Sequence, residues 1–288
     1  MLVGYHGVTA LSARAFYSGV QKAKLDGHQE NTVLEQLLFA LHQCSALNAL
    51  CGVPNKADVA RVGIVAWYYG IYAAGSAMVA AQDGSFQDDH TGTATQWDKQ
   101  IAERGLVMAP FEKLISTLVK RDADRELLNV LTVEKRPLSK TAPVSLDEAE
   151  AAAHAYLSGS VNWWRWKIET SVKGAKDFPE LGFTDFRTAA ARDLRDKRLA
   201  ARSIGFLHEA FRYRGKANYR DAIFLGYGTT VPQQLTRYVD DLSSVLTAFV
   251  TMAGAFCARR LGRSVWNEFV TELDVKQSFT TSPIQIWP

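Results

Sequence analysis

Arginine is the residue best suited to chemistry in this sequence, and it is concentrated in residues 187–220. This segment holds ten basic and three acidic residues, a net charge of +7, whereas the whole 288-residue chain carries only +3. Guanidinium groups bind phosphate oxygens in bidentate fashion. At roughly 100° per residue on a helix, one stripe would contain Arg192, Arg195, Arg198 and Arg202. The segment therefore predicts a phosphate-bearing partner; the alternative is a solvated helix face with local ion pairs.

Arg202 and His208 have five residues between them. A guanidinium can bind a phosphate and an imidazole can move a proton, so the two residues are candidates for chemistry on phosphate. On one continuous helix, side chains six residues apart diverge by about 120°, so a histidine on a helix surface is the alternative interpretation.

Signatures of metals and cofactors are missing from the sequence. Cys44, Cys51 and Cys257 form no CxxC pair and no Cys/His cluster, and we predict free, buried thiols of a reducing compartment. No glycine-rich phosphate loop, serine-centred elbow or zinc spacing is present. We therefore expect no metal and no cofactor.

A second basic and aromatic segment is residues 163–167. Trp163, Trp164 and Trp166 lie beside Arg165 and Lys167. Aromatic rings beside basic groups stack exposed bases in proteins that bind single strands. At helical spacing, tryptophans belong more often to the core, with the basic side chains reaching past them to solvent. We favour that second interpretation.

Helices are the elements that must position these side chains. Apolar residues repeat at three- and four-residue steps over 34–47, which predicts an amphipathic helix. A second helix is expected from about Ala57 to Asp83. The last long helix is expected from about 232 to Gly262, with an extended tail after it. Because no strand-period alternation persists anywhere, we predict one all-α domain over residues 1–288, a helical bundle.

The middle of the chain is predicted to be helical too, with breaks at glycine and proline. Ser145 and Glu148 form a capping-box pattern for a helix that ends at Gly159. A further helix is expected over 162–172. Asp185 is expected to cap one long helix from 186 to about 213, which would carry both the arginine stripe and His208.

Two uncharged stretches, 62–81 and 242–258, raise the question of a membrane. The first is long enough to span one, and an integral membrane protein is the third interpretation of the chain. Its glycines, alanines and mid-segment tyrosines favour instead a helix buried in a large helical core. The N-terminus lacks a basic segment followed by an apolar one, so no signal peptide is expected. We predict a soluble, cytoplasmic protein.

Three short segments together resemble one branch of the HEPN superfamily, a helical fold found beside small nucleotidyltransferases and in prokaryotic defence and toxin systems. Residues 66–74, Ala-Trp-Tyr-Tyr-Gly-Ile-Tyr-Ala-Ala, are similar to that branch's Y-Y-A-x-[FY]-x-A-A helix. His90-Thr91-Gly92 is similar to its H-x-G turn. Residues 214–220, Arg-Gly-Lys-Ala-Asn-Tyr-Arg, are similar to its R-x-K-A-D-Y element, with Asn218 in place of the usual aspartate.

The resemblance implies a HEPN-like helical bundle with its core at about 32–104 and 186–262, and a long helical insertion at about 106–184. The spacing of Arg202 and His208 fits the R-x(4–6)-H pattern of HEPN ribonucleases, which implies a metal-independent endoribonuclease in antiviral defence or a toxin–antitoxin pair. His90 is a further site candidate. Phosphate or nucleic acid would then be held by a set of basic and polar residues, namely Arg192, Arg195, Arg198, Arg214, Lys216, Asn218, Tyr219 and Arg220.

The resemblance also implies a homodimer, because HEPN nucleases usually join their sites across a two-fold axis. The alternative is a non-catalytic helical subunit that binds a nucleotide, an RNA or a protein within a larger complex. Asn218, the long insertion and the tryptophan-rich segment favour that alternative.

Overall fold

The all-α prediction is confirmed. In the computed structural model, which describes residues 4, 6–130, 145–219, 232–276, 279 and 281–287, every regular element is a helix. The one contact of strand type in these ranges is an isolated antiparallel bridge between Ile115 and Ile204. The chain divides into two compact units, a larger one of residues 3–112 and 210–288 and a smaller one of residues 1–2 and 113–209.

The larger unit is built on three long helices and a set of shorter ones. In chain order the helices before the smaller unit are α1 (Ala10–Phe16), α2 (Gly27–Cys51), α3 (Lys56–Asp83) and α4 (His90–Trp97), which continues as a π turn over Asp98–Ala102. The smaller unit contains α5 (Lys120–Val130), α6 (Leu146–Gly174), α7 (Asp177–Glu180) and α8 (Ala189–Ala200). Then follow α9 (Phe206–Tyr219), α10 (Pro232–Leu261), α11 (Arg263–Lys276) and α12 (Pro283–Ile286).

Helix α3 is the centre of the larger unit, where it packs against both α2 and α10. Its many glycines and alanines let the neighbouring helices come close, because small side chains leave little between the backbones. At Gly70 a Cβ atom would stand 2.6 Å from a methyl carbon of Leu246 on α10 and 3.0 Å from Cβ of Gln43 on α2. The three helices therefore come close together at Gly70.

Two helical segments, Lys56–Asp83 and Arg237–Leu261, are long and apolar enough to cross a membrane by length and composition. Inside the protein, 78% and 61% of their most apolar windows are buried. Core helices of soluble proteins have the same properties. The soluble, cytoplasmic assignment stays a prediction.

Arg260, near the end of α10, connects three segments of the larger unit through hydrogen bonds. Its guanidinium donates to the carbonyl oxygens of Ala81 (3.0 Å), Gln82 (2.7 Å) and Gln21 (2.9 Å). Its own carbonyl accepts the amide of Ala23 at 2.8 Å. These bonds attach the link between α1 and α2 to the ends of α3 and α10.

The smaller unit is organised around one continuous helix, α6. The side chain of Ser145 caps it as predicted, accepting the amide of Glu148 at 3.2 Å. The predicted end at Gly159 is wrong, because the helix continues to Gly174. Residues on both sides of Gly159 belong to one apolar cluster that includes Leu157 and Val161, so burial of this face offsets the cost of a glycine inside a helix.

The single long helix predicted from 186 to about 213 is also wrong. Helix α8 ends at Ala200 and α9 starts at Phe206. Between them, Ile204 exchanges backbone hydrogen bonds with Ile115, at 2.8 and 3.0 Å. Backbone groups paired in this way are not available for helical bonds. Helix α8 begins at Ala189. The side chain of Thr188 caps it by accepting the amide of Ala191, so the cap is Thr188 and not Asp185.

The predicted extended tail is wrong for residues 263–276, which form α11. Gly262 has a φ of +86°, in the left-handed region that glycine adopts without strain. It ends α10 as predicted, and the chain turns at once into a new helix. At the far end, Trp287 is buried, and its indole nitrogen donates to the carbonyl of Val250 on α10 at 3.0 Å.

Replacing Gly70 by alanine is expected to lower the free energy of unfolding by about 1–3 kcal/mol relative to the same change at Gly63. Both residues lie on α3, but a Cβ at Gly63 would meet its nearest neighbours at 3.5 Å or more, an ordinary contact. Urea denaturation of the two variants measures the difference. Equal midpoints would contradict the close approach at Gly70.

Candidate functional site

Three segments that are far apart in sequence meet in the larger unit around His90. Helix α3 contributes three tyrosines, α4 contributes His90 as its first residue, and α9 contributes a phenylalanine and an arginine. We call this group the His90 cluster; its members are Tyr68, Tyr69, Tyr72, His90, Phe211 and Arg214. The cluster contains one residue or more from each of the three segments that resemble the HEPN branch.

The start of α4 fixes His90 in place. The Asp89 carboxylate accepts the amides of Thr91 (2.9 Å) and Gly92 (2.8 Å), which caps the helix directly before His90. A Cβ atom on Gly92 would stand 2.7 Å from the other carboxylate oxygen of Asp89. The glycine two residues after His90 therefore has a structural role, since it leaves room for the capping carboxylate.

His90 is half-buried among aromatic rings. Its ring centroid lies 4.4 Å from that of Tyr72, 5.3 Å from Tyr68 and 5.7 Å from Phe211. Its Nδ1 atom is buried and has no hydrogen-bond partner among the described residues. Burial lowers the pKa of His90, the positive charge of Arg214 lowers it further, and Asp89 opposes the shift. The imidazole is therefore neutral near pH 7 and able to accept a proton.

Arg214 lies across the same rings. Its guanidinium carbon is 4.9 Å from the ring centroid of Tyr68 and 5.3 Å from that of Phe211. One terminal nitrogen donates to the hydroxyl of Tyr69 at 3.2 Å, and the Tyr69 side chain is 38% exposed, so the cluster reaches the surface. Among the described residues, the buried Nε of Arg214 has no hydrogen-bond partner. The guanidinium is held by its neighbours and keeps N–H donors for an anion.

The structure places the remaining predicted residues of the 214–220 segment only in part. Lys216, Asn218 and Tyr219 lie in the last turns of α9, and their side chains are outside the described residues. Arg220 is outside the described residues altogether. Their predicted contact with phosphate stays a prediction.

Arg202 and His208, the predicted catalytic pair, do not share a helix. Arg202 lies in the link between α8 and α9, and its guanidinium carbon stacks 4.3 Å from the ring centroid of Trp164. His208 is in the first turn of α9, only 2% exposed, and its Nδ1 accepts the amide of Gly205 at 3.5 Å. The calculated divergence of 120° therefore does not apply. Instead, the burial of His208 keeps its imidazole from solvent.

The predicted arginine stripe is reduced to three members on α8. Arg195 is engaged by acidic groups, with Nε 2.8 Å from a carboxylate oxygen of Asp196 and a terminal nitrogen 3.9 Å from Glu169. Arg192 is exposed and donates to the carbonyl of Arg187 at 2.6 Å, and Arg198 is also exposed. The local ion pairs of the alternative interpretation are thus present at Arg195.

The tryptophan-rich segment is partly buried in the smaller unit and partly exposed. Trp164 packs against the apolar cluster of the smaller unit, and Arg165 is buried, donating to the carbonyl of Leu118 at 3.1 Å. Trp166 is 60% exposed. The Lys167 ammonium lies 5.2 and 4.9 Å from the ring centroids of the first two tryptophans.

All three cysteines are free thiols, as predicted; Cys44 and Cys257 are buried, whereas Cys51 is only half-buried, contrary to the prediction. Burial raises the pKa of Cys44 to about 12, which keeps it protonated and unreactive. Over the described ranges, no three or more histidine, cysteine, aspartate or glutamate side chains come together as metal ligands.

Sequence reasoning identified His90 and Arg214 but missed Phe211 and the hydroxyl of Tyr69 as parts of the same site. Phe211 precedes Arg214 by three residues, so both project from one face of a helix. The spacing could therefore have indicated Phe211 from the sequence. The packing of α9 against α3 and α4 could not be predicted in this way, because it joins residues far apart in the chain.

Comparisons with known proteins do not test the resemblance to the HEPN superfamily, which rests on the sequence motifs alone. No protein-family model matches the chain, and no curated protein and no solved structure matches it either. The His90 cluster must therefore be interpreted from its own chemistry.

The pKa of His90 is expected to lie below its ordinary value of about 6.5. Two substitutions should move it in opposite directions: Arg214→Gln removes a nearby positive charge and raises it, whereas Asp89→Asn keeps a capping side chain, removes a negative charge and lowers it. NMR titration of the imidazole protons measures all three values. If the pKa of His90 does not change in Arg214→Gln, the described proximity of Arg214 to His90 is contradicted.

The same shift makes stability depend on pH. As the pH falls below about 6.5, the unfolded chain binds a proton at His90 before the folded chain does, so the free energy of unfolding decreases. In His90→Gln this part of the decrease should disappear. Denaturant midpoints of both proteins across this pH range test the sign.

Proposed function

We propose that this chain is a HEPN-like helical protein that binds RNA or a nucleotide, with the His90 cluster as the phosphate-binding site. The observation that carries the proposal is the guanidinium of Arg214, which is held against Tyr68 and Phe211 beside the neutral imidazole of His90. A guanidinium fork is the side chain best matched to phosphate oxygens.

The aromatic side chains of the cluster suit the rest of a nucleotide. Tyr69 is partly exposed next to Arg214, and its ring offers a surface on which a base can stack. A base on the ring and a phosphate on the guanidinium is the arrangement used by many proteins that bind single strands. The proposal is therefore single-stranded RNA, or one nucleotide of it, at this surface.

Endoribonuclease activity is the second candidate, favoured by the neutral state of His90 beside a fixed cation. A neutral imidazole accepts the proton of a 2′-hydroxyl, and the guanidinium stabilises the charge that develops on the phosphate. Under this candidate the catalytic residues are either His90 with Arg214 or, as the sequence predicts, Arg202 with His208. A role in defence or in a toxin pair, and a homodimer that completes the site, belong to the same proposal.

Replacing Arg214 by glutamine is expected to weaken binding of a labelled single-stranded RNA at least about tenfold, the effect of losing a hydrogen bond to a charged group. Arg214→Lys should keep only part of the affinity for RNA, because an ammonium group lacks the planar fork of a guanidinium. Fluorescence anisotropy measures the affinities, and thermal unfolding confirms that the variants are folded.

The matched control is Arg104→Ala, since Arg104 is an exposed arginine of the same unit outside the cluster. The affinity of Arg104→Ala for RNA should equal that of the unchanged protein. If Arg214→Gln binds as tightly as the control, the His90 cluster is not the phosphate site. If the unchanged protein binds neither RNA nor a nucleotide, the proposal fails and the non-catalytic, protein-binding subunit is the interpretation that remains.

Incubation of the same RNA in EDTA separates the catalytic alternatives. Loss of cleavage in His90→Gln with cleavage kept in His208→Ala would assign the reaction to the His90 cluster. The reverse pattern, with loss also in Arg202→Ala, would assign it to the predicted pair. Binding without cleavage in the unchanged protein would exclude the nuclease and support a binding subunit.

A further inference from the structure

The larger unit contains a pocket, outside the His90 cluster, where α1, α10, α11 and α12 meet. Its volume is about 340 Å³, within the range of small-molecule sites. We call it the arginine pocket. Its lining includes three arginines and neither an aspartate nor a glutamate: Arg14, Arg259 and Arg263.

Apolar side chains form most of the wall of the arginine pocket. Trp266 and Trp287 lie on one side with their ring centroids 5.5 Å apart, and Ile286 and Ala255 extend the same surface. Both tryptophans are largely buried and line the pocket. An apolar wall with a few convergent polar groups is the usual composition of a site for a small organic molecule.

Arg259 is fixed before any ligand arrives. Its Nε donates to the carbonyl of Val20 at 3.2 Å, and one terminal nitrogen donates to the carbonyl of Ser18 at 2.7 Å. These two bonds hold the guanidinium plane and leave hydrogen atoms on its terminal nitrogens for another acceptor. A donor held in position costs a ligand less to engage than a mobile one.

Arg14 and Arg263 supply positive charge without an internal counterion. Across the described ranges, neither side chain takes part in an ion pair or hydrogen bond. The three guanidinium groups line one pocket that has no acidic residue, and an anion inside it would balance their charge.

We propose that the arginine pocket binds a small organic phosphate with a flat, apolar ring, the class to which nucleoside monophosphates belong. The phosphate lies among the three guanidinium groups, and the ring lies against the wall that contains Trp266 and Trp287. The proposal does not depend on RNA binding at the His90 cluster, because the two sites share no residue.

Calorimetric titration with adenosine monophosphate, uridine monophosphate, adenosine and inorganic phosphate tests the proposal. The monophosphates should bind more tightly than either adenosine or phosphate alone, since only they fill both halves of the pocket. In the double variant Arg14→Ala, Arg263→Ala their affinity should fall at least about tenfold, as expected when charged hydrogen bonds are lost. Quenching of tryptophan fluorescence provides an independent readout.

One control makes the outcome specific. Arg104→Ala, which removes an exposed arginine outside the pocket, should leave the affinity for monophosphates unchanged. A loss of affinity in Arg104→Ala as large as that in the double variant would overturn the proposal. Monophosphate binding no tighter than inorganic phosphate, or unaffected by the double variant, would also overturn it, as would binding of octanoate in preference to the monophosphates.

Discussion

The close contact of α3 with α2 and α10 is the constraint on which the larger unit depends. Small residues along α3 let α2 and α10 approach its backbone closely, as they do at Gly70. The same helix then presents Tyr68, Tyr69 and Tyr72 toward α4 and α9. One helix thus supplies both the packing centre and the aromatic side of the candidate site, so the geometry of the site follows from the packing.

Much of this arrangement was predictable from local patterns. The apolar repeat over 34–47 and the uncharged stretch at 62–81 gave the first two long helices, since periodicity and composition are local properties. Ser145 and Gly262 marked a helix start and a helix end for the same reason. Of the candidate site, His90 and Arg214 were identified by motif, although nothing in the sequence alone placed them side by side.

The errors came from contacts between residues distant in sequence. The pairing of Ile115 with Ile204 interrupts a segment whose own composition favours one helix. Burial on both sides of Gly159 keeps α6 continuous where a glycine suggested an end. Charge is a similar case, because Arg195 resembles a phosphate ligand in sequence while Asp196 and Glu169 surround it in the fold. Local propensity is a weak guide wherever tertiary contacts oppose it.

The three carbonyl bonds of Arg260 affect how the larger unit opens. The link between α1 and α2, residues 17–26, has no regular helix of its own, and such segments normally exchange their amide hydrogens and admit proteases early. Here Arg260 attaches the link to the ends of two core helices. The link should therefore resist cleavage until α3 and α10 separate, and its exposure would report global unfolding of the unit instead of local motion.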